Sequence, residues 1–115
     1  MKHSTGSPTK AEAARMAAIK DGPCVCCHQR GLPSYCPEIH HLLSGNKRRG
    51  HLYTIGLCAW HHRQVIHDGW TAAAMRARFG PSLAAGSKPF RAIFGSDDDL
   101  LALQNSLIAE RRKAA

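Results

Sequence analysis

Two histidine doublets carry the reactive chemistry this sequence offers. His40 and His41 lie in the run Glu38-Ile39-His40-His41-Leu42-Leu43, and His61 and His62 lie in Gly56-Leu57-Cys58-Ala59-Trp60-His61-His62-Arg63. A neutral imidazole can take a proton from water near neutral pH, and imidazoles also bind divalent cations. A cation held this way can bind a phosphodiester and carry the charge that builds on its leaving oxygen. On a regular strand His40 and His41 point to opposite faces, so one is free to bind metal while the other faces a water. His62 follows His61 by one position and is turned about 100° from it around a helix, toward a different ion. His67, five positions on, reaches that second ion only if the helix ends or bends first. His3 and His28 read as incidental surface or core residues.

The cysteines supply a separate constellation. Cys24 and Cys27 frame a C-x-x-C knuckle, and Cys58 and His61 stand three apart at a helix start, on one face. Together they make a tetrahedral Cys3His set, which is typical of closed structural zinc with Zn–S bonds of about 2.3 Å. Cys26 or Cys36 could replace one of these ligands. The plainer reading, small buried hydrophobes and spare thiols, makes no use of the spacing. Five cysteines is an odd number, and no apolar leader opens the chain. Metal ligands and free thiols in a reducing cytoplasm are therefore expected, not a disulfide framework. No stretch approaches the length of a membrane span.

The elements that must position these groups are short. The alanine-rich run Lys10 to Lys20 is a helix by propensity, stopped by Asp21-Gly22-Pro23. Cys24 to Cys27 reads as a tight turn, and Gln29 to Pro37 as a loop. Ile39 to Leu43 and Leu52 to Leu57 read as two strands joined by a loop too long for a two-residue hairpin. Ala59 to His67 has helical spacing and ends at Asp68-Gly69. Thr71 can cap a helix through Phe79, stopped by Gly80-Pro81. Ser82 to Phe94 holds one or two short helices around Gly86-Ser87-Lys88-Pro89. Ser96 with Asp97, Asp98 and Asp99 opens a last helix with Leu100, Leu101, Leu103, Leu107 and Ile108 on its apolar face.

The chain has 115 residues, sixteen of them Lys or Arg against eight Asp or Glu, for a formal net charge of +8. That length suits one domain, expected over residues 11–115, behind a flexible basic arm at residues 1–10. The charge suggests a polyanionic partner, most simply nucleic acid. Lys47, Arg48 and Arg49 lie between the doublets and are candidate phosphate contacts; His51 and Arg63 flank them as further nucleic-acid candidates. Arg111, Arg112 and Lys113 also suit the dipole at the end of the last helix and need no ligand.

These segments resemble the HNH, or ββα-metal, endonuclease superfamily. Within it, Ile39-His40-His41-Leu42-Leu43-Ser44-Gly45, the run Arg48 to Cys58 and Trp60-His61-His62-Arg63 are similar to phage and prophage Ref (recombination enhancement) nucleases. So are Gly80-Pro81-Ser82-Leu83, Gly86-Ser87-Lys88-Pro89-Phe90 and Phe94-Gly95-Ser96-Asp97. The similarity runs from about Gly22 to Ile108. It implies an α+β fold with an HNH-type core, a short β-hairpin plus helix, surrounded by helices and extended loops, with a structural zinc. It implies cleavage of DNA coated with RecA filament, with Mg²⁺ or another divalent cation. By that pattern His41 is the general base, His40 a metal ligand before it, His62 the metal ligand on the helix, and Cys58 with His61 half of the zinc site. The chain departs from the pattern in two places. The middle Asn, which orients the base, has no match: Tyr53 stands in its place and Asn46 lies in the loop. The basic N-terminal region is also short.

The expectation is a metal-dependent DNA endonuclease acting on RecA-coated DNA with a histidine base. The rival is a non-catalytic zinc module that binds DNA or a recombinase and has no need of both His41 and His62. A phage structural or regulatory protein with incidental histidines is a weaker third reading.

Overall fold

The computed structural model describes residues 6–114. The expectations for His3, and for residues 1–5 of the N-terminal arm, lie outside these residues, while the arm's Thr9 and Lys10 belong to the start of a helix.

Helix α1 spans Lys10–Lys20, with Thr9 closing a capping box on Glu12. Two hydrogen bonds fix its start: Glu12 N–H to Thr9 Oγ1 at 3.2 Å and Thr9 N–H to Glu12 Oε1 at 2.8 Å. The Cys24–Cys27 turn is the opening of a short helix, α2, over Val25–Gln29, with Cys24 as its N-cap. Strand β1 is Glu38–His41, one residue ahead of the expected strand at its start and two short at its end. It pairs antiparallel with β4, Thr54–Leu57, in the register Glu38 to Leu57 and His41 to Thr54.

The long connection between these strands is itself a ribbon. Strands β2, Leu43–Ser44, and β3, Lys47–Arg48, pair around Gly45-Asn46. Gly45 takes a left-handed φ of 64°, which a two-residue hairpin tip needs. Lys47 and Arg48 thus follow directly on the ribbon's tip. Leu52 and Tyr53 were expected in the second strand but belong to the turn before it, where Tyr53 N–H donates to Gly50 O at 3.1 Å.

Helix α3 covers only Ala59–Arg63, four residues shorter than its spacing suggested. Gln64 ends it at φ 60°, and its N–H donates to Trp60 O at 2.9 Å. Helix α4, Ala72–Phe79, is capped by Thr71 as expected. A single 3₁₀ turn at Leu83–Ala85 leads into α5, Ser87–Phe94, which takes Lys88 and Pro89 into its first turn. Helix α6, Asp97–Ala114, starts at Ser96, whose Oγ accepts from Asp99 N–H at 3.1 Å.

One core ties these short pieces together. Cys24, Val25, Cys26, Cys27, Leu42, Ile55, Leu57, Phe90, Phe94, Leu100 and Leu107 form a contiguous buried cluster. Helices α1 and α6 lie against β4, and α3 lies against both strands of the β1–β4 pair. On the α1 and α6 side the sheet is held closely. Gly56 leaves no room for a side chain, since a Cβ there would meet Ile19 and Pro37 at 2.9 Å each. Its N–H donates to the buried Gln104 Oε1 at 2.7 Å, satisfying a strand donor that faces away from β1. Among the described residues, no helix is long and apolar enough to cross a membrane.

Candidate active site and metal centre

The start of α2 and the start of α3 bring the four zinc candidates together. Cys24 caps α2 and Cys58 caps α3, so each sulfur also accepts a backbone N–H, from Cys27 and His61 respectively, at 3.5 Å. The four ligand atoms of Cys24, Cys27, Cys58 and His61 lie within 4.8 Å of one another. His61 Nδ1 stands 3.4, 3.6 and 3.1 Å from the Cys24, Cys27 and Cys58 sulfurs, and the Cys27 and Cys58 sulfurs are 3.8 Å apart. A tetrahedron of 2.3 Å bonds separates its ligands by roughly 3.8 Å, so the cluster is close to metal dimensions.

The orientation of His61 fits the same purpose. Its Nε2–H donates to Phe79 O at 2.7 Å, leaving the Nδ1 lone pair directed at the sulfurs. Burial alone would lower the His61 pKa, but hydrogen bonds with Cys24 and Cys58 raise it to about 10. A proton is favoured where a cation would sit. Cys26 is fully buried in the core, and burial pushes its thiol well above the ordinary range. Cys36 is exposed. Neither is in the cluster.

The His40–His41 doublet divides between the two faces of the β1–β4 ribbon. Directly paired residues share a face. Glu38 and His40 are therefore on the face of their partners Leu57 and Ile55, and His41 is on the face of Thr54. On the first face His40 meets His62 of α3, with ring centroids 5.1 Å apart. Glu38, two residues before His40 and so on its side, accepts from His62 Nδ1 at 2.8 Å. That bond turns His62 Nε2 outward as a free donor atom for a cation. Arg63 holds the same carboxylate through contacts of 2.6, 2.9 and 3.1 Å. Hydrogen bonds from Arg63, against the pull of burial, and from His62 keep the Glu38 carboxyl at about 2. Burial, then the neighbouring His62, pushes His40 down to about 4, so its imidazole is neutral at neutral pH. A cleft of about 500 Å³ opens beside His40, with Leu83, Ser87, Arg91 and Asp97 on its walls.

On the second face His41 Nε2 lies 3.1 Å from His51 Nδ1, and His51 Nε2 lies 2.9 Å from Gly6 O. Burial, then Arg48 and His51, lowers the His41 pKa below its ordinary value.

Several expected residues stand elsewhere. His51, read as either a phosphate contact or a solvated side chain, is 6% exposed with both ring nitrogens engaged. Arg63 is committed to Glu38. His67, past the early end of α3, packs its ring on Phe79 and Trp70 at 5.1 and 5.8 Å. Arg49 reaches back to Asp98 at 3.2 Å and lies over the Tyr53 ring. Lys47 and Arg48 are exposed at the ribbon tip. Glu38 was missed from the sequence. The signal for it was present, since i and i+2 share a strand face.

A family model described as recombination enhancement, RecA-dependent nuclease matches residues 8–109. No curated protein sequence matches the chain.

Proposed function

The chain belongs to the recombination enhancement, RecA-dependent nuclease family, and from that membership we propose that it is a metal-dependent DNA endonuclease of HNH type. The observation that carries this reading is the meeting of His40 and His62 beside an open cleft, with Glu38 fixing His62. Two imidazoles leave most of a cation's shell to water and to phosphate oxygens, as a hydrolytic site requires. A cation bound there, Mg²⁺ or another divalent ion, would polarise the scissile phosphate and offset charge on the leaving 3′ oxygen.

The protein's own groups do the rest. His41 is the general base that takes a proton from the attacking water. Among the described residues β1 pairs only with β4, so no strand covers its other edge. A phosphodiester lying along that edge can reach both faces, His40 on one and His41 on the other. Lys47 and Arg48 hold neighbouring phosphates, with Arg49 behind them. Such contacts give affinity with little sequence choice. Cys24, Cys27, Cys58 and His61 would hold a zinc with four protein ligands, which would leave it a structural ion joining α2 to α3. The natural substrate is DNA carrying a RecA filament.

The test is nicking of circular single-stranded and duplex DNA with Mg²⁺, with and without RecA and ATP. Wild type should cut only with RecA, and His41→Ala should lose at least about 100-fold in rate with DNA binding retained. Cutting without RecA would keep the nuclease and reject the filament requirement. No cutting under any condition, with DNA bound, would favour a non-catalytic zinc module.

A further inference from the structure

The His41–His51–Gly6 chain determines which nitrogen of His41 can act. A carbonyl oxygen only accepts, so the 2.9 Å contact with Gly6 O requires a proton on His51 Nε2. In the neutral ring, His51 Nδ1 then has a lone pair and no proton. The 3.1 Å contact with His41 must therefore be donated by His41 Nε2–H. The neutral His41 ring is left with its lone pair on Nδ1. Both rings are also fixed in rotation: His51 is buried, and the two rings meet edge to face with centroids 5.2 Å apart. The turn around them is tied down by Thr54 Oγ1, which donates to His51 O at 2.8 Å and accepts from Arg15 Nε at 3.1 Å.

We propose that His51 is a positioning residue for the hydrolytic reaction, holding His41 in the Nε2–H tautomer through a chain anchored on the Gly6 carbonyl, so that His41 Nδ1 is the atom that takes the proton from water. This rests on His41 as the base. It gives the buried His51 a role that phosphate contact cannot, and it gives the segment ahead of α1 a part in the site. No residue at the position of Tyr53 is needed for the purpose.

The experiment pairs imidazole ¹⁵N spectroscopy of the zinc-loaded full chain with kinetics. Two-bond ¹H–¹⁵N correlations above neutral pH should show His41 and His51 both as Nε2–H tautomers. His51→Leu should release His41 to a tautomer mixture and lower kcat by about 10–1,000-fold, with KM for DNA and zinc content unchanged. His51→Gln can accept from His41 and donate to Gly6 together, and should recover most of the rate. An Nδ1–H tautomer for His41 in the wild type would overturn the proposal. So would a His51→Leu variant that keeps both the wild-type His41 signal and the rate, or a His51→Gln variant no better than His51→Leu. Undiminished cutting by His41→Ala would remove the base itself, and the spectra distinguish that failure from a failure of the hydrogen-bond chain.

Discussion

At the scale of single residues, the site depends on side chains that touch no substrate. Glu38 is the clearest case. It sets the His62 ring by accepting from Nδ1 and is itself clamped by Arg63. Glu38→Ala should raise the Mg²⁺ concentration needed for half-maximal nicking by about 10–100-fold, while helix content and zinc stoichiometry stay constant. An unchanged Mg²⁺ requirement would take Glu38, and with it His62, away from the cation. The sequence pointed to His40, His41 and His62 because paired histidines at strand and helix spacing are rarely idle. It pointed less clearly to Glu38 and His51, because each acts through a partner. Glu38 stands 24 residues from His62 and His51 stands 45 residues from Gly6, and residue spacing says nothing about contacts at that range.

At the scale of elements, two short helices that could not stand alone are joined at their N-termini. Helices α2 and α3 have five residues each, too few to be stable without tertiary support. The Cys3His cluster supplies that support by tying both caps to one point. Cys24→Ser should lose bound zinc, measured by atomic absorption, and lower Tm by several degrees. Cys26→Ser should keep its zinc, although a buried hydroxyl in the core costs stability. Zinc retained in Cys24→Ser and lost in Cys26→Ser would mean that the ligand is Cys26. The strand pair is held from its other side by close packing. Gly56→Ala should destabilise the protein by about 1–3 kcal/mol in urea unfolding, because Ile19 and Pro37 would have to move from 2.9 Å. A neutral substitution would show that this face yields. Helix positions were legible where caps and stops were strong: Thr71 and Ser96 mark starts that the structure keeps, whereas the Thr9 capping box that opens α1 lay in a stretch read as a flexible arm. The early end of α3 was not, because Gln64 carries no intrinsic preference for a left-handed φ, and its neighbours impose the turn.

At the scale of the whole molecule, the question is which of the positive charges meet DNA. A formal charge of +8 attracts any polyanion, but several arginines are already taken. Arg49, Arg63 and Arg91 pair with Asp98, Glu38 and Asp97, and Arg15 bonds to Thr54 and Asn105. Among the described residues, no ion pair involves Lys47 or Arg48, and both project from the ribbon tip that extends the β1–β4 pair. Lys47 and Arg48 lie on β3, whose partner β2 follows directly on β1, the strand that carries His40 and His41, so a backbone gripped at the tip would be led toward the unpaired edge of β1. Each phosphate neutralised on duplex DNA contributes about 0.9 to the slope of log K against log salt concentration. The double variant Lys47→Ala, Arg48→Ala should therefore reduce that slope by about 2 and weaken binding alike for unrelated sequences. An unchanged slope would place the DNA on another face, and the cleft beside His40 would lose its route to the scissile phosphate. A slope reduced by this amount, with the rate on bound DNA intact, would separate gripping the backbone from cutting it.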